Sequence, residues 1–215
     1  MTDDAARRAL VGRLDRELGP FDPAYIDAML HVDRARFVRR GDEPRAYEDA
    51  PLPLDDEGLA TVSAPHMYLL SMRLLELGPG DTLVELGAGS GYGAALASAI
   101  VGPAGHVTTI EISEHLAARA RTLLADRANV TIHTGDAVRS TRLWDQPRRV
   151  SCTFAVEQIP RDWVEALPRG GILVAPVGST AKDQRLVRLV RTPDGAHATD
   201  HGAVRYVRNR SQLTS

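Results

Sequence analysis

Cysteine is almost missing from this 215-residue chain, with Cys152 standing alone. That excludes an intramolecular disulfide and a cysteine-built zinc cluster within one chain. Long hydrophobic runs are missing as well. The longest, around Leu83 to Leu86 and Ile172 to Val177, are strand-sized and well short of the roughly 20 apolar residues that cross a bilayer. The first residues, Met1 to Arg8, carry Asp3 and Asp4 and no apolar stretch resembling a secretory signal. The expectation is a cytoplasmic protein with no membrane partner and no metal. Neither sign of charge dominates: the formal net charge is −2, and no long block is of one sign, which argues against binding to nucleic-acid phosphates. Internal repeats and low-complexity segments are absent too.

What is present suffices for one sizeable core, with 43% hydrophobic residues, but the chain is short for two catalytic domains. Leu10, Val11, Leu14 and Leu18 recur at helical spacing before Gly19-Pro20, and Asp22-Pro23 opens a second helix carrying Ile26, Met29 and Leu30. From Arg39 to Asp56, Pro44, Pro51 and Pro53 predict an irregular arm. A helix from about Pro65 to Leu77 should close at Gly78-Pro79-Gly80. Short apolar runs then alternate with helical segments, with strands expected near Thr82 to Leu86, His106 to Glu111, Val130 to Thr134, Arg149 to Phe154 and Gly171 to Val177. That pattern is a doubly wound, Rossmann-like α/β fold. Gln184 to Arg191 and Gly202 to Asn209, joined across Thr192-Pro193-Asp194-Gly195, should add two antiparallel edge strands. The organisation expected is residues 1–64 as N-terminal helices and a substrate-side arm, and 65–215 as the cofactor-binding domain, in one structural unit.

The strongest constellation is Leu83-Val84-Glu85-Leu86-Gly87-Ala88-Gly89-Ser90-Gly91-Tyr92-Gly93, a buried strand running into a glycine-rich turn and a helix. Glycines there let backbone approach a ligand at a strand's carboxyl end. A dinucleotide fingerprint would need a glycine where Tyr92 stands, and Glu85 would repel a diphosphate. A carboxylate beside the turn suits the sulfonium and ammonium of S-adenosylmethionine. Glu111, followed by Ile112, ends the next strand, where it can accept from ribose hydroxyls; Asp136 and Ala137, after the third strand, suit the adenine. Cofactor binding is thus expected at Glu85, Gly87, Ala88, Gly89, Ser90, Gly91, Glu111, Ile112, Asp136 and Ala137, with S-adenosyl-L-homocysteine as product. The rival is a nicotinamide-binding domain.

Upstream, Ala46-Tyr47-Glu48-Asp49-Ala50-Pro51-Leu52-Pro53 and Thr61-Val62-Ser63-Ala64-Pro65-His66-Met67 resemble the two pre-fold motifs of the protein-L-isoaspartate O-methyltransferases. Val32-Asp33-Arg34 with Phe37-Val38, and Pro168 to Gly178, are similar to further segments of that family, so the resemblance spans most of the chain. It implies transfer of a methyl group to an isoaspartyl or aspartyl carboxylate of a peptide or protein, with Ser63 contacting that carboxylate. Thr61, Val62, Ala64, His66, Phe154, Glu157, Arg205 and Tyr206 fall on the substrate side. Ser63 also reads as an N-cap for the helix beginning near Pro65, His66 as a hydrogen-bonded structural residue, Cys152 as inert packing, and Arg185, Arg188 and Arg191 as solvated surface.

The departures from the family lie on the substrate side. Arg148 stands where an aspartate is usual, and Thr153-Phe154-Ala155-Val156-Glu157-Gln158-Ile159-Pro160 replaces a small-residue turn. Arg208 replaces a proline, and Leu59-Ala60 precede Thr61 where a glycine is usual. Glu157 would weaken carboxylate binding unless an arginine compensates. Protein repair is the default expectation. The alternatives are a dedicated peptide-modifying enzyme whose aspartyl ester cyclises to a succinimide, and a non-catalytic cofactor-binding partner protein.

Overall fold

The computed structural model describes residues 3–144, 147–180 and 182–209; positions 1–2 of the N-terminal stretch and 210–215 of the expected cofactor domain lie outside the described residues. The chain opens with α1 (Asp3–Leu18) and α2 (Pro23–His31), the latter capped as expected by Asp22, whose carboxylate accepts the Ala24 N–H. A 3-10 turn at Arg34–Arg36 leads into the arm. The prolines do not abolish pairing there, because β1 (Leu52–Pro53) and β2 (Thr61–Val62) form a two-residue antiparallel ladder. Pro53 is tolerated because the ladder is so short that no row of donors is demanded of it. Next come α3 (Pro65–Leu75), β3 (Thr82–Leu86), α4 (Tyr92–Val101), β4 (His106–Glu111), α5 (Glu114–Leu123), β5 (Val130–Thr134), β6 (Arg149–Cys152), α6 (Arg161–Ala166), β7 (Ile172–Val177), β8 (Arg185–Thr192) and β9 (Gly195–Ala203).

The seven-stranded sheet has the order β5-β4-β3-β6-β7-β8-β9. β3 through β7 run parallel, β8 pairs antiparallel with β7, and β9 antiparallel with β8. Successive strands move outward from β3 in one direction to β5 and then restart on its other side with β6, so the chain reverses at the carboxyl end of β3, where open α/β sheets bind ligands. Side chains alternate across the sheet. Leu83, Val107 and Val174 join a core with α1 to α4, while Val84, Leu86, Ile110 and Val150 pack with Trp144, Phe154 and Trp163 on the opposite face. No helix among the described residues is long and apolar enough to cross a membrane.

Four expectations need correction. α3 ends at Glu76, which takes a left-handed conformation (φ 52°), two residues before Gly78. Among the described residues between β5 and β6 there is no α-helix but two 3-10 turns, Ala137–Arg139 and Thr141–Leu143. The last strand is Gly195–Ala203 rather than 202–209, since the Pro193-Asp194 turn puts Thr192 directly opposite Gly195 and fixes the register from there. Its sequence hides it because an exposed edge strand needs no apolar alternation. Arg188 is not simply solvated: its guanidinium donates to Leu74 O (2.7 Å) and pairs with Glu76 (2.5 Å), closing the end of α3.

The arm is organised around one side chain. Arg34 is 2% exposed, and its guanidinium donates to the carbonyls of Ala46 (2.7 Å), Glu48 (3.4 Å), Ala50 (2.9 Å), Val62 (3.5 Å) and Ser63 (3.1 Å). A planar fork can reach carbonyls on two sides at once, which a point-like ammonium cannot. Arg34→Ala should therefore leave several buried carbonyls unpaired and destabilise the fold by about 3 kcal/mol or more. Arg34→Lys should recover less than half of that. Urea unfolding of the three proteins checks this, and a loss under about 1 kcal/mol for the alanine variant would contradict the hub.

Candidate active site

Between β3 and α4 the chain makes three left-handed glycine turns, at Gly87, Gly89 and Gly91 (φ 94°, 55° and 93°). The Gly87 and Ala88 N–H groups donate to Ile110 O (2.8 and 3.2 Å), which ties the loop to β4. A Cβ at Gly87 would run into Thr153, and one at Gly91 would come within 2.8 Å of Leu124. The loop thus presses backbone against the neighbouring strand end and leaves a cavity of about 700 Å³ at the carboxyl ends of β3 to β6. Of the residues expected to hold a cofactor, Glu85, Gly87, Ala88, Gly89, Ser90, Glu111, Ile112, Asp136 and Ala137 line it. Gly91 stands behind the wall as the N-cap of α4.

Three carboxylates border this cavity at different depths. Glu111 accepts the Gly89 N–H on Oε2 (2.8 Å) and the Ser113 N–H on Oε1 (2.9 Å). Asp136 caps the following 3-10 turn by accepting the Val138 N–H (3.0 Å), with Arg139 3.7 Å from its other oxygen. Glu85 lies deepest, 4% exposed, where Thr109 donates to it at 2.7 Å. Its carboxylate sits under α4 at Gly93, where any Cβ would collide with it. Burial pushes the Glu85 pKa up to about 8, Thr109 opposing and the charge of Glu111 reinforcing the rise. Among the described residues no cation pairs with it.

The site can be tested against S-adenosylmethionine on three counts. Glu85 is a buried carboxylate without a cation, Ser90 Oγ is buried without a hydrogen-bond partner, and the two large apolar side chains Leu59 and Ile112 are exposed at the cavity lip. A positively charged ligand with hydroxyls and a flat apolar ring supplies what each lacks. A diphosphate would instead face Glu111 and Asp136 and, among the described residues, find no cation beside Glu85. The residues fit the cationic cofactor: Glu85 would hold its charged end, Glu111 its ribose, Asp136 and Ala137 its base. No group of three histidine, cysteine or acidic side chains among the described residues is arranged to hold a metal ion.

Ser63 lines the same cavity together with Thr61, Val62 and Phe154. It does not cap α3: Ala64 is the N-cap residue and makes no side-chain bond. Its backbone is fixed on both sides, the carbonyl by Arg34 and the N–H by the Tyr68 hydroxyl (3.2 Å). Burial lifts the Tyr68 pKa to about 12, so this phenol stays neutral, and its hydroxyl also engages the Ser63 side chain. Past Ser63 the cavity opens into a wider groove lined by Thr61, Ala64, His66, Met67 and the segment Ala203 to Val207, Arg205 and Tyr206 included. Asp49 clamps His66 by accepting from its backbone N–H (3.0 Å) and meeting its Nδ1 (2.9 Å). Tyr206 is held by Gln184, whose side-chain amide accepts its N–H (2.6 Å) and donates to its carbonyl (3.1 Å). Phe154 packs edge-on against Trp163. Glu157 lines neither space and pairs with Arg208 at 3.2 Å. Burial pushes the Cys152 thiol to about 12, an inert group.

Tyr68, Thr153, Arg208 and Leu59 also line the cavity and were not singled out from the sequence as site residues. Thr153 had a usable signal, since it follows β6 at the strand-end layer shared by Gly87 and Glu111, and its hydroxyl bonds Gly87 O (2.6 Å). Tyr68 had none, because a tyrosine on a buried helix face reads as core.

The family model for protein-L-isoaspartate(D-aspartate) O-methyltransferase matches residues 6–213. A protein-L-isoaspartate O-methyltransferase of Ignicoccus hospitalis is 39% identical over 79% of this chain and 80% of its own length. A solved protein-L-isoaspartate O-methyltransferase superposes with a TM-score of 0.85 at 23% identity over 94% of this chain; the match spans 65% of that longer chain. A Plasmodium falciparum structure, described as a protein-L-isoaspartate O-methyltransferase in complex with S-adenosyl-L-homocysteine, gives a TM-score of 0.82 at 21% identity over 95% of this chain and 98% of that one. Both structures share the fold.

The position of Glu85 has a measurable cost. Its carboxyl rises from the ordinary 4.5 to about 8 on folding, so in that window the folded state keeps a proton that the unfolded chain has released. The associated stability is full below about 4.5 and is lost as pH rises through about 8. Without ligand, Glu85→Gln should flatten this decline in melting temperature and exceed the wild type at the alkaline end. Superimposable pH profiles would count against the assignment.

Proposed function

The chain belongs to the protein-L-isoaspartate(D-aspartate) O-methyltransferase family, and from that premise we propose that it is an S-adenosylmethionine-dependent carboxyl O-methyltransferase acting on isoaspartyl residues of peptides or proteins. The observation that carries this reading is the junction at Ser63, where a cavity walled by Glu85, Glu111 and Asp136 opens into a groove wide enough for a peptide.

When bound, S-adenosylmethionine supplies a methyl group on a cationic sulfur, and transfer of that methyl to a carboxylate oxygen leaves S-adenosyl-L-homocysteine. The residues around it have a modest chemical task. An acceptor carboxylate is already ionised at neutral pH, so no side chain need remove a proton. Holding the acceptor in line and keeping water away supply most of the acceleration. We assign the holding role to Ser63, whose backbone is fixed by Arg34 and Tyr68, so its hydroxyl can donate to the acceptor from a rigid platform. The ladder of Leu52–Pro53 with Thr61–Val62 supports the approach to that platform. His66 then needs no proton-transfer role; its pairing with Asp49 ties the arm to the start of α3.

We place Thr61, Val62, Ala64, His66, Phe154, Arg205 and Tyr206 on the acceptor side, with Glu157 at its outer rim. Residues 1–64 we read as the substrate-side part and 65–215 as the cofactor-binding part of one unit; the shared core of α1, α2 and α4 supports this. A cytoplasmic setting goes with a lone, buried, unpaired cysteine.

Single-turnover transfer from labelled S-adenosylmethionine to an isoaspartyl peptide and its aspartyl twin tests the reading. The isoaspartyl peptide alone should be methylated. Ser63→Ala should lower kcat/KM by about tenfold with cofactor affinity unchanged, and Glu111→Ala should weaken cofactor binding by about tenfold or more in calorimetry. No transfer to either peptide by a protein that binds the cofactor would redirect the assignment to a dedicated acceptor.

A further inference from the structure

Among the described residues lining the main cavity, Arg208 is the single cation, set against Glu85, Glu111 and Asp136. Its backbone is fixed: Ala155 donates its N–H to Val207 O (2.8 Å) and accepts the N–H of Asn209 (3.3 Å), which makes a parallel bridge between Ala155 and Arg208. Arg208 lines the cavity and its neighbour Val207 lines both the cavity and the acceptor groove, so this stretch of chain runs where the two spaces meet. One nitrogen rests against Glu157 at 3.2 Å, with the two side chains 40% and 58% exposed. A single contact at one edge leaves the remaining N–H donors of the planar fork for a ligand. The rim position keeps them hydrated enough to exchange partners.

A guanidinium at such a position recognises a carboxylate. The reacting carboxylate is a poor candidate, because it loses its negative charge as the bond to the methyl group forms. Pairing it with Arg208 would stabilise the ground state more than the transition state and slow the reaction. A carboxylate that keeps its charge throughout gains equally in both states, and its benefit appears in KM.

Building on the methyltransferase reading above, we propose that Arg208 is a specificity-determining residue that pairs with a second carboxylate on the acceptor, beside the one that is methylated. The protein thereby favours acceptors with an acidic residue next to the isoaspartate.

The test uses two isoaspartyl peptides that differ only in carrying Glu or Gln beside the isoaspartate. With the full chain, the Glu peptide should show a KM about twofold to fivefold lower at low salt, with equal kcat, and the gap should close as ionic strength rises. Arg208→Gln should abolish the gap, Arg208→Lys should keep part of it, and Arg208→Glu should reverse it toward a peptide with Lys at that position. Binding of S-adenosyl-L-homocysteine should be the same in all four proteins. Equal KM values in the unmodified protein, or a gap that survives Arg208→Gln, would overturn the proposal while leaving the methyltransferase reading intact. A loss of S-adenosyl-L-homocysteine affinity in Arg208→Gln would put the carboxylate on the cofactor and overturn it too. No turnover with any peptide by cofactor-competent protein would remove the reading and the proposal together.

Discussion

The acceptor side of this protein depends on one buried guanidinium. The arm between α2 and α3 has only two 3-10 turns and a two-residue ladder of its own, and buried carbonyls outside them need donors from elsewhere. Arg34 supplies the missing donors to five of them. Because the last of the five belongs to Ser63, the interaction that folds the arm is the same one that places the residue at the junction of cavity and groove. The two-residue ladder, the Asp49 clamp on His66 and the Tyr68 hydroxyl then refine a position already set.

The cofactor side rests on a different constraint. Glu85 is carried into the interior by strand periodicity, on the face of β3 covered by α4, and only a glycine at position 93 leaves it room. The fourth glycine of the string, Gly93, thus makes space for a carboxylate. Burying that carboxyl raises its pKa to about 8, a penalty that a bound cation would relieve.

Much of this was legible in the sequence. The five parallel strands, the glycine turn and the three strand-end acids follow from apolar runs and their punctuation, signals that depend on residues close together in the chain. The Ser63 segment was legible through its resemblance to a family. The errors fall where the physics is non-local or weak. The outermost strand, Gly195 to Ala203, is exposed and has no alternation to read. The crossover after Asp136 is too short in apolar periodicity to distinguish an α-helix from two 3-10 turns. The N-cap role read for Ser63 failed because the helix begins one residue later than the serine could reach. Tyr68 and the pairing of Glu157 with Arg208 depend on approaches between segments far apart in sequence, which no local pattern encodes.

The segment after β9 returns to the site without joining the sheet. Besides the bridge of Arg208 to Ala155, its hold comes from Gln184, 1% exposed, whose backbone carbonyl takes the Val204 N–H and whose side-chain amide takes both polar groups of Tyr206, much as a neighbouring strand would. Since those bonds engage backbone, they are indifferent to which side chains the segment carries. Arg205, at the groove, can therefore vary with little cost to the fold, whereas Val207 packs against the core and Arg208 pairs with Glu157. The path of that strip and the chemistry it presents to the groove are thereby set by different atoms.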